Sequence, residues 1–141
     1  WLDPPSPKDI NPRKVAVFRE SQFHSIICDS LVVCQFPNIT FDQMVDLLIG
    51  ATGWDTGIPE ILRIAERTLT LMRLFNQREG FSAADDVMPQ RFYQPTNGGA
   101  LANLKDQRSA LEKARNYYYV LMGWDKNGIP LPEKVEELGI A

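Results

Sequence analysis

An all-α fold, about five helices joined by Gly/Pro-rich turns, is predicted by three features of this sequence. Apolar residues recur near every 3.6 positions between Pro59 and Gln77, the period of an amphipathic helix. Thr40-Phe41-Asp42-Gln43 has the hydroxyl and amide spacing of a capping box. Glycine and proline then punctuate the chain at helix-like intervals, and after Pro37 no run of alternating apolar and polar residues demands a strand.

Taken in order, residues 1–12 hold four of the ten prolines, Pro4, Pro5, Pro7 and Pro12, and read as an extended lead-in trailing from a preceding segment. A helix is expected over residues 13–28, with Val15, Phe18, Gln22 and Ile26 on one stripe. Val15-Ala16-Val17-Phe18 fits the opening of a strand equally well. Residues 29–37 read as a loop, ended by Pro37. The capping box opens a helix to Ile49, with Gly50 or Gly53 supplying the left-handed residue that stops it.

Pro59 suits a first helical position, and the helix it opens runs to Gln77 with Ile61, Ile64, Ala65, Leu69, Met72 and Phe75 as its stripe. Burying those side chains is worth on the order of ten kcal/mol before chain entropy is set against it. Gly80 stops it. A short turn of helix fits residues 82–86, and residues 93–99 read as loop. A long helix is expected over 101–122, carrying Leu104, Leu111, Ala114, Tyr118 and Leu121 and ended by Gly123. Pro132 opens a last short helix over 133–138, closed by Gly139. Gly53-Trp54-Asp55 with Gly57-Ile58-Pro59 is echoed by Gly123-Trp124-Asp125 with Gly128-Ile129-Pro130, a turn device used twice.

With 141 residues the chain makes one domain with a core large enough to need no staples. A net charge of −3 without a Lys/Arg cluster argues against a nucleic-acid partner, which needs phosphates neutralised. Apolar runs fall well short of the ~20 residues that span a bilayer, so no membrane partner is expected. The start at Trp1, without initiator Met or signal peptide, suggests a piece processed or cut from something longer. Two cysteines in a core-sufficient chain suit a reducing, cytoplasmic setting better than a disulfide scaffold.

Chemistry is concentrated in one stretch: both cysteines and the only histidine lie between His24 and Cys34. A cysteine among apolar residues is by default a small buried hydrophobe. Its functional alternative is a ligand to an iron–sulfur cluster, which needs about four protein ligands where this chain offers two at most. His24 has no zinc-like spacing around it. Asp125-Lys126-Asn127-Gly128 begins like a calcium loop but lacks the later ligands, so it reads as a turn. Asp85-Asp86 reads as two solvent-facing acids, and Asn76-Gln77-Arg78-Glu79-Gly80 as a helix end with a structural Arg78–Glu79 pair.

In chain order, Asp29-Ser30-Leu31-Val32-Val33-Cys34-Gln35-Phe36, Ala51-Thr52-Gly53-Trp54-Asp55, Glu66-Arg67, Arg73-Leu74-Phe75-Asn76-Gln77-Arg78-Glu79-Gly80-Phe81, Asp85-Asp86, Pro89, Arg91, Tyr117-Tyr118, Gly123-Trp124-Asp125 and Leu138-Gly139 resemble the C-terminal end of the tungsten-containing aldehyde:ferredoxin oxidoreductase family. The resemblance runs from about Arg13 to Ala141. It implies a helical C-terminal domain over residues 13–141 of a larger oxidoreductase with a tungsten (or molybdenum) bis-pterin centre and a [4Fe–4S] cluster. Such enzymes oxidise aldehydes to carboxylic acids and pass electrons to ferredoxin or a similar acceptor; relatives take other carbonyl or aromatic acyl substrates.

The family's Asp-x-x-Gly-Leu-Cys motif falls on Asp29 to Cys34. By that match Cys34 is the fourth cluster ligand, and Asp29 with the adjoining backbone at Val33 contacts a pterin. The sequence departs from the motif at Val32, where the family has glycine, and at Val33, where it has leucine. The other cluster cysteines and the pterin-cradling domain belong upstream, so the chain alone is expected to be inactive and its partners are those upstream domains. A cofactor-free helical protein-interaction module is the competing reading.

Overall fold

A computed structural model describes residues 5–6, 8–94, 96–99, 102 and 106–140. Its five helices are α1 (Pro12–Ser30), α2 (Phe41–Thr52), α3 (Ile58–Arg78), α4 (Arg108–Leu121) and α5 (Pro132–Glu137), with a 3₁₀ turn at Gln90–Tyr93. Among the described residues the only β pairing is two isolated bridges, Thr96 with Ala102 and Trp124 with Pro130. The all-α expectation holds.

Local chemistry sets the helix ends. Pro12 occupies the first turn of α1 behind Asn11, whose Oδ1 accepts from the Lys14 N–H at 3.0 Å. Thr40 and Gln43 form the expected capping box at the start of α2, and Gly53, at φ 73°, ends that helix. At α3 the Gly57 N–H donates to Glu60 Oε2 at 3.0 Å.

α1 lies between α3 and α4, and α2 packs on α3. The core joins Phe23, Ile27 and Cys28 of α1, Met44 of α2, Ile61 and Ala65 of α3, and Tyr119, Met122 and Trp124. The buried stripe of α1 is therefore Val15, Phe23, Ile27 and Cys28, and Phe18 stands half exposed. On α3, Ile61 and Ala65 are buried as expected, but Met72 and Phe75 are 50% and 54% exposed while the polar Thr70 and Arg73 are buried. Two faces of α3 carry apolar residues, and the face that α1 and α2 cover is not the whole apolar stripe.

The long fourth helix is shorter than expected: it begins at Arg108, and Leu101 and Leu104 lie outside the described residues. Residues 82–86 form a turn closed by Asp85, whose Oδ2 accepts from the Ser82 N–H at 2.8 Å. α5 is tied to α3 by Lys134, with Nζ 3.1 Å from Glu66 and 2.7 Å from Glu137. Between α1, α3 and α4 an open groove of about 700 Å³ is lined by Val15, Phe18, Leu69, Met72, Tyr118 and Trp124, among others.

The cysteine loop and the buried arginine knot

α1 runs two residues past its expected end, so Asp29 sits in the last helical turn and not in the following loop. The helix closes by two bonds, the Val33 N–H to the Cys28 carbonyl at 2.9 Å and the Val32 N–H to the Asp29 carbonyl at 3.2 Å. That is the Schellman pattern, and it requires a left-handed residue at position 32. Val32 takes that conformation, with φ 56°. A β-branched residue there is strained by about 1–2 kcal/mol. Val32→Gly is expected to stabilise the chain by about 1 kcal/mol net of glycine's larger unfolded-state entropy. A raised urea midpoint at unchanged slope reads it.

Cys34 follows as a free, exposed thiol, flanked by Val32 at 92% and Phe36 at 98% exposure. Cys28 is free and buried, and burial, then the nearby Asp29 and Cys34, pushes its thiol above the ordinary range. Asp29 is exposed, its Oδ1 accepting from Gln35 Nε2 at 3.2 Å. Asp29, Val33 and Cys34 thus share one helix end and its loop. The Val33 N–H is committed to the Cys28 carbonyl, which leaves its carbonyl and side chain for any cofactor. Among the described residues, no group of three or more His, Cys, Asp and Glu side chains is placed to hold a metal ion. The donor set fits one thiolate ligand to a shared site, not a self-contained one.

The second centre was not legible beforehand. Arg73, 8% exposed on α3, donates from Nε to the Gly128 carbonyl at 2.8 Å. Its Nη1 donates to Asp86 Oδ1 at 3.1 Å, and its Nη2 forms an ion pair with Oδ2 at 2.8 Å. The guanidinium lies against the rings of Tyr119 and Trp124, 5.8 and 5.4 Å from their centroids. The Tyr119 hydroxyl donates to Asp86 Oδ2, and Gln77 Nε2 reaches the same Gly128 carbonyl at 3.0 Å. Asp86 is therefore a paired acid, although it still reaches solvent. Arg78 and Glu79 form the expected pair, 3.4 Å apart and largely exposed.

The repeated turn behaves unequally. Gly53 and Gly123 are both left-handed, but Trp54 is 60% exposed and Trp124 is buried. The Asp125 stretch is a turn, as expected: Asp125 Oδ1 accepts from the Asn127 and Ile129 N–H groups at 2.8 and 2.9 Å. Those bonds, that from Ile129 first, hold its carboxyl below the usual range.

Burial first, then neighbouring Asp86, pushes the Tyr119 phenol up to about 12, and burial pushes Tyr118 to about 12 as well. A raised folded-state value means that the stabilisation is complete below the unfolded value near 10 and is lost as pH rises through about 12. Stability is expected to fall between those limits, and phenolate absorbance from these two rings to grow only as it does.

The family model described as aldehyde ferredoxin oxidoreductase, domains 2 and 3, matches residues 2–140. The chain is 34% identical over 143 aligned positions to the tungsten-containing aldehyde ferredoxin oxidoreductase of Pyrococcus furiosus, covering 96% of this chain and 22% of that protein. The same protein of Thermococcus kodakarensis matches to the same extent. An aliphatic sulfonate oxidoreductase, WOR-like subunit, of Pyrococcus furiosus is 29% identical over 119 positions, 79% of this chain and 19% of that subunit. The chain thus spans about a fifth of the length of the curated relatives it matches.

Proposed function

Because this chain belongs to the aldehyde ferredoxin oxidoreductase family, matching its domains 2 and 3, we propose that it is the C-terminal portion of a tungsten (or molybdenum) bis-pterin enzyme oxidising aldehydes to carboxylic acids. Cys34 supplies one thiolate to a [4Fe–4S] cluster, and ferredoxin or a similar protein takes the electrons. When bound, the metal–pterin centre supplies the two-electron oxidation and the cluster the electron path outward.

This chain's residues then have defined tasks. Cys34 presents its sulfur at the tip of a loop where solvent, and hence another domain's ligands, reach it. Asp29 accepts one bond from Gln35, and the rest of its carboxylate can accept from the N–H edge of a pterin. Val33 offers that ring its carbonyl. Val32 and Phe36 stand bare, and the upstream domains would cover them, removing water from around the sulfur. Residues 1–12 are the lead-in from those domains, 13–141 the helical domain itself. The setting is cytoplasmic, and no helix among the described residues is long and apolar enough to cross a membrane.

One observation supports the ligand role above others: in a chain whose other cysteine is buried and protonated, Cys34 is free, exposed and on the family's motif. The test is intact mass with iron, tungsten and molybdenum per chain on protein purified without oxygen. A mass several times that of this chain, with about four irons and one tungsten or molybdenum, is expected. In that protein Cys34→Ser should lose most of the iron while far-UV circular dichroism stays unchanged. A metal-free protein of 16.0 kDa would instead favour the cofactor-free interaction module, with the apolar groove as its surface.

A further inference from the structure

In the loop that carries Cys34, Val32 and Phe36 stand in solvent, while Leu31 and Ile39 at its two ends pack against the core. Between those ends the loop is held by hydrogen bonds, and both side-chain bonds of Gln35 return to one face of α1. Gln35, next to Cys34, is held at both ends of its amide: Nε2 donates to Asp29 Oδ1 at 3.2 Å and Oε1 accepts from the Ser25 hydroxyl at 3.4 Å. Ser25 and Asp29 are four residues apart, on the same side of the helix. At the far end of the loop His24 Nε2 lies 2.7 Å from the Ile39 carbonyl, and its ring meets Phe41 edge-on at 5.6 Å.

The tautomer of His24 follows from chemistry. A carbonyl only accepts, so Nε2 carries the proton and Nδ1 of the neutral ring is an acceptor. Cys28 Sγ is 3.8 Å from that Nδ1, and burial keeps the Cys28 thiol protonated, so it donates. Cys28, His24 and the Ile39 carbonyl form one relay of hydrogen bonds that closes the loop, just as Gln35 fastens its middle.

We infer that His24 and Gln35 are positioning residues that preset the Cys34 thiolate for its metal cluster, with the Ile39 carbonyl fixing the His24 tautomer and Cys28 bonded to the ring's other nitrogen. This rests on the assignment of Cys34 as a cluster ligand and goes beyond it. A ligand loop ordered by its own chain spares the ordering entropy that metal binding would otherwise meet. Groups one bond removed from a ligand also tune the metal they surround.

The test uses the full-length protein that carries this chain, with three variants. His24→Phe keeps the ring against Phe41 and loses both nitrogens; His24→Gln returns an amide N–H near the place of Nε2; Gln35→Leu removes the central clamp at an exposed position. Iron per protein, the electron paramagnetic resonance of the reduced cluster and its midpoint potential are read, together with hydrogen exchange at the amides of residues 33–36, 38 and 39 in the same full-length protein without metal. Expected are partial iron loss and an altered resonance and potential in His24→Phe and Gln35→Leu, faster exchange at those amides, and recovery in His24→Gln. Should His24→Phe not accumulate folded, Gln35→Leu reads the same clamp. Wild-type potential, resonance and exchange in both variants, while Cys34→Ser loses the cluster, would overturn the inference. Retention of all the iron by Cys34→Ser would overturn the ligand assignment beneath it.

Discussion

Arg73→Leu is expected to cost about 3 kcal/mol and lower the melting temperature by roughly 10 °C. The substitution keeps an apolar stem in the core, so little packing is lost. What it removes is the positive partner of Asp86, a carboxylate 32% exposed that would keep only the Tyr119 hydroxyl. Breaking a buried pair usually costs 3–5 kcal/mol, and the partial exposure of Asp86 places this case at the low end. A domain of this size has roughly 7–20 kcal/mol in hand, so the variant should still fold. Adding Asp86→Asn removes the orphaned charge while keeping an acceptor for Tyr119, and is expected to recover part of the loss. Urea unfolding of the two single variants and the double variant measures this coupling; strictly additive losses would show that the charge pair is not the cause.

Gly128→Ala is expected to be as damaging for an unrelated reason. Gly128 has φ 72°, where an L side chain costs about 1–2 kcal/mol. A methyl group there would also collide with Arg73 Nη2 and lie 2.9 Å from Tyr119 Cζ. Neither neighbour can yield freely, because Arg73 is bonded to Asp86 and to the Gly128 carbonyl itself. Overpacking adds about 1–3 kcal/mol, for a total near 3 kcal/mol or more. The prediction separates the two contributions. Gly53→Ala shares the left-handed backbone but has nothing within 4 Å of an added methyl, so it should lose only the strain part. Equal losses at the two positions, read as shifts in urea midpoint, would show that the close approach at Gly128 carries no weight.

Arg73, Gln77 and Asp86, three of the residues that mark the family resemblance, turn out to meet. Arg73 and Gln77 come from one stretch, Asp86 from a second and Gly128 from the turn that follows Trp124, and all four converge on one buried knot. The knot is architecture: it fastens α3 to the turn after α4. The cysteine loop draws on a different set, His24, Ser25, Asp29 and Gln35. Asp29 and Cys34 are five positions apart, and sequence reading placed Asp29 in the loop, whereas the helix reaches Ser30. Nothing in a run of Leu31-Val32-Val33 advertises a left-handed residue, and valine argues against one. The helix cap imposes it.

What the sequence determined by itself is the class of the fold and the ends of most helices. Capping boxes, first-turn prolines and left-handed glycines act within four or five residues, so Thr40 with Gln43, Pro59 and Gly53 state their own roles. The match to the family's motif also named Cys34 as the candidate ligand, through residues adjacent along the chain. Only the tertiary structure decided which face of α3 is buried, because apolar residues on more than one side satisfy the same helical period. It alone made Asp86 the partner of Arg73, thirteen positions away, and brought Gly128 to the same guanidinium across fifty-five. A buried charge must be neutralised by whatever group the packing brings near, and sequence distance carries no information about which group that is.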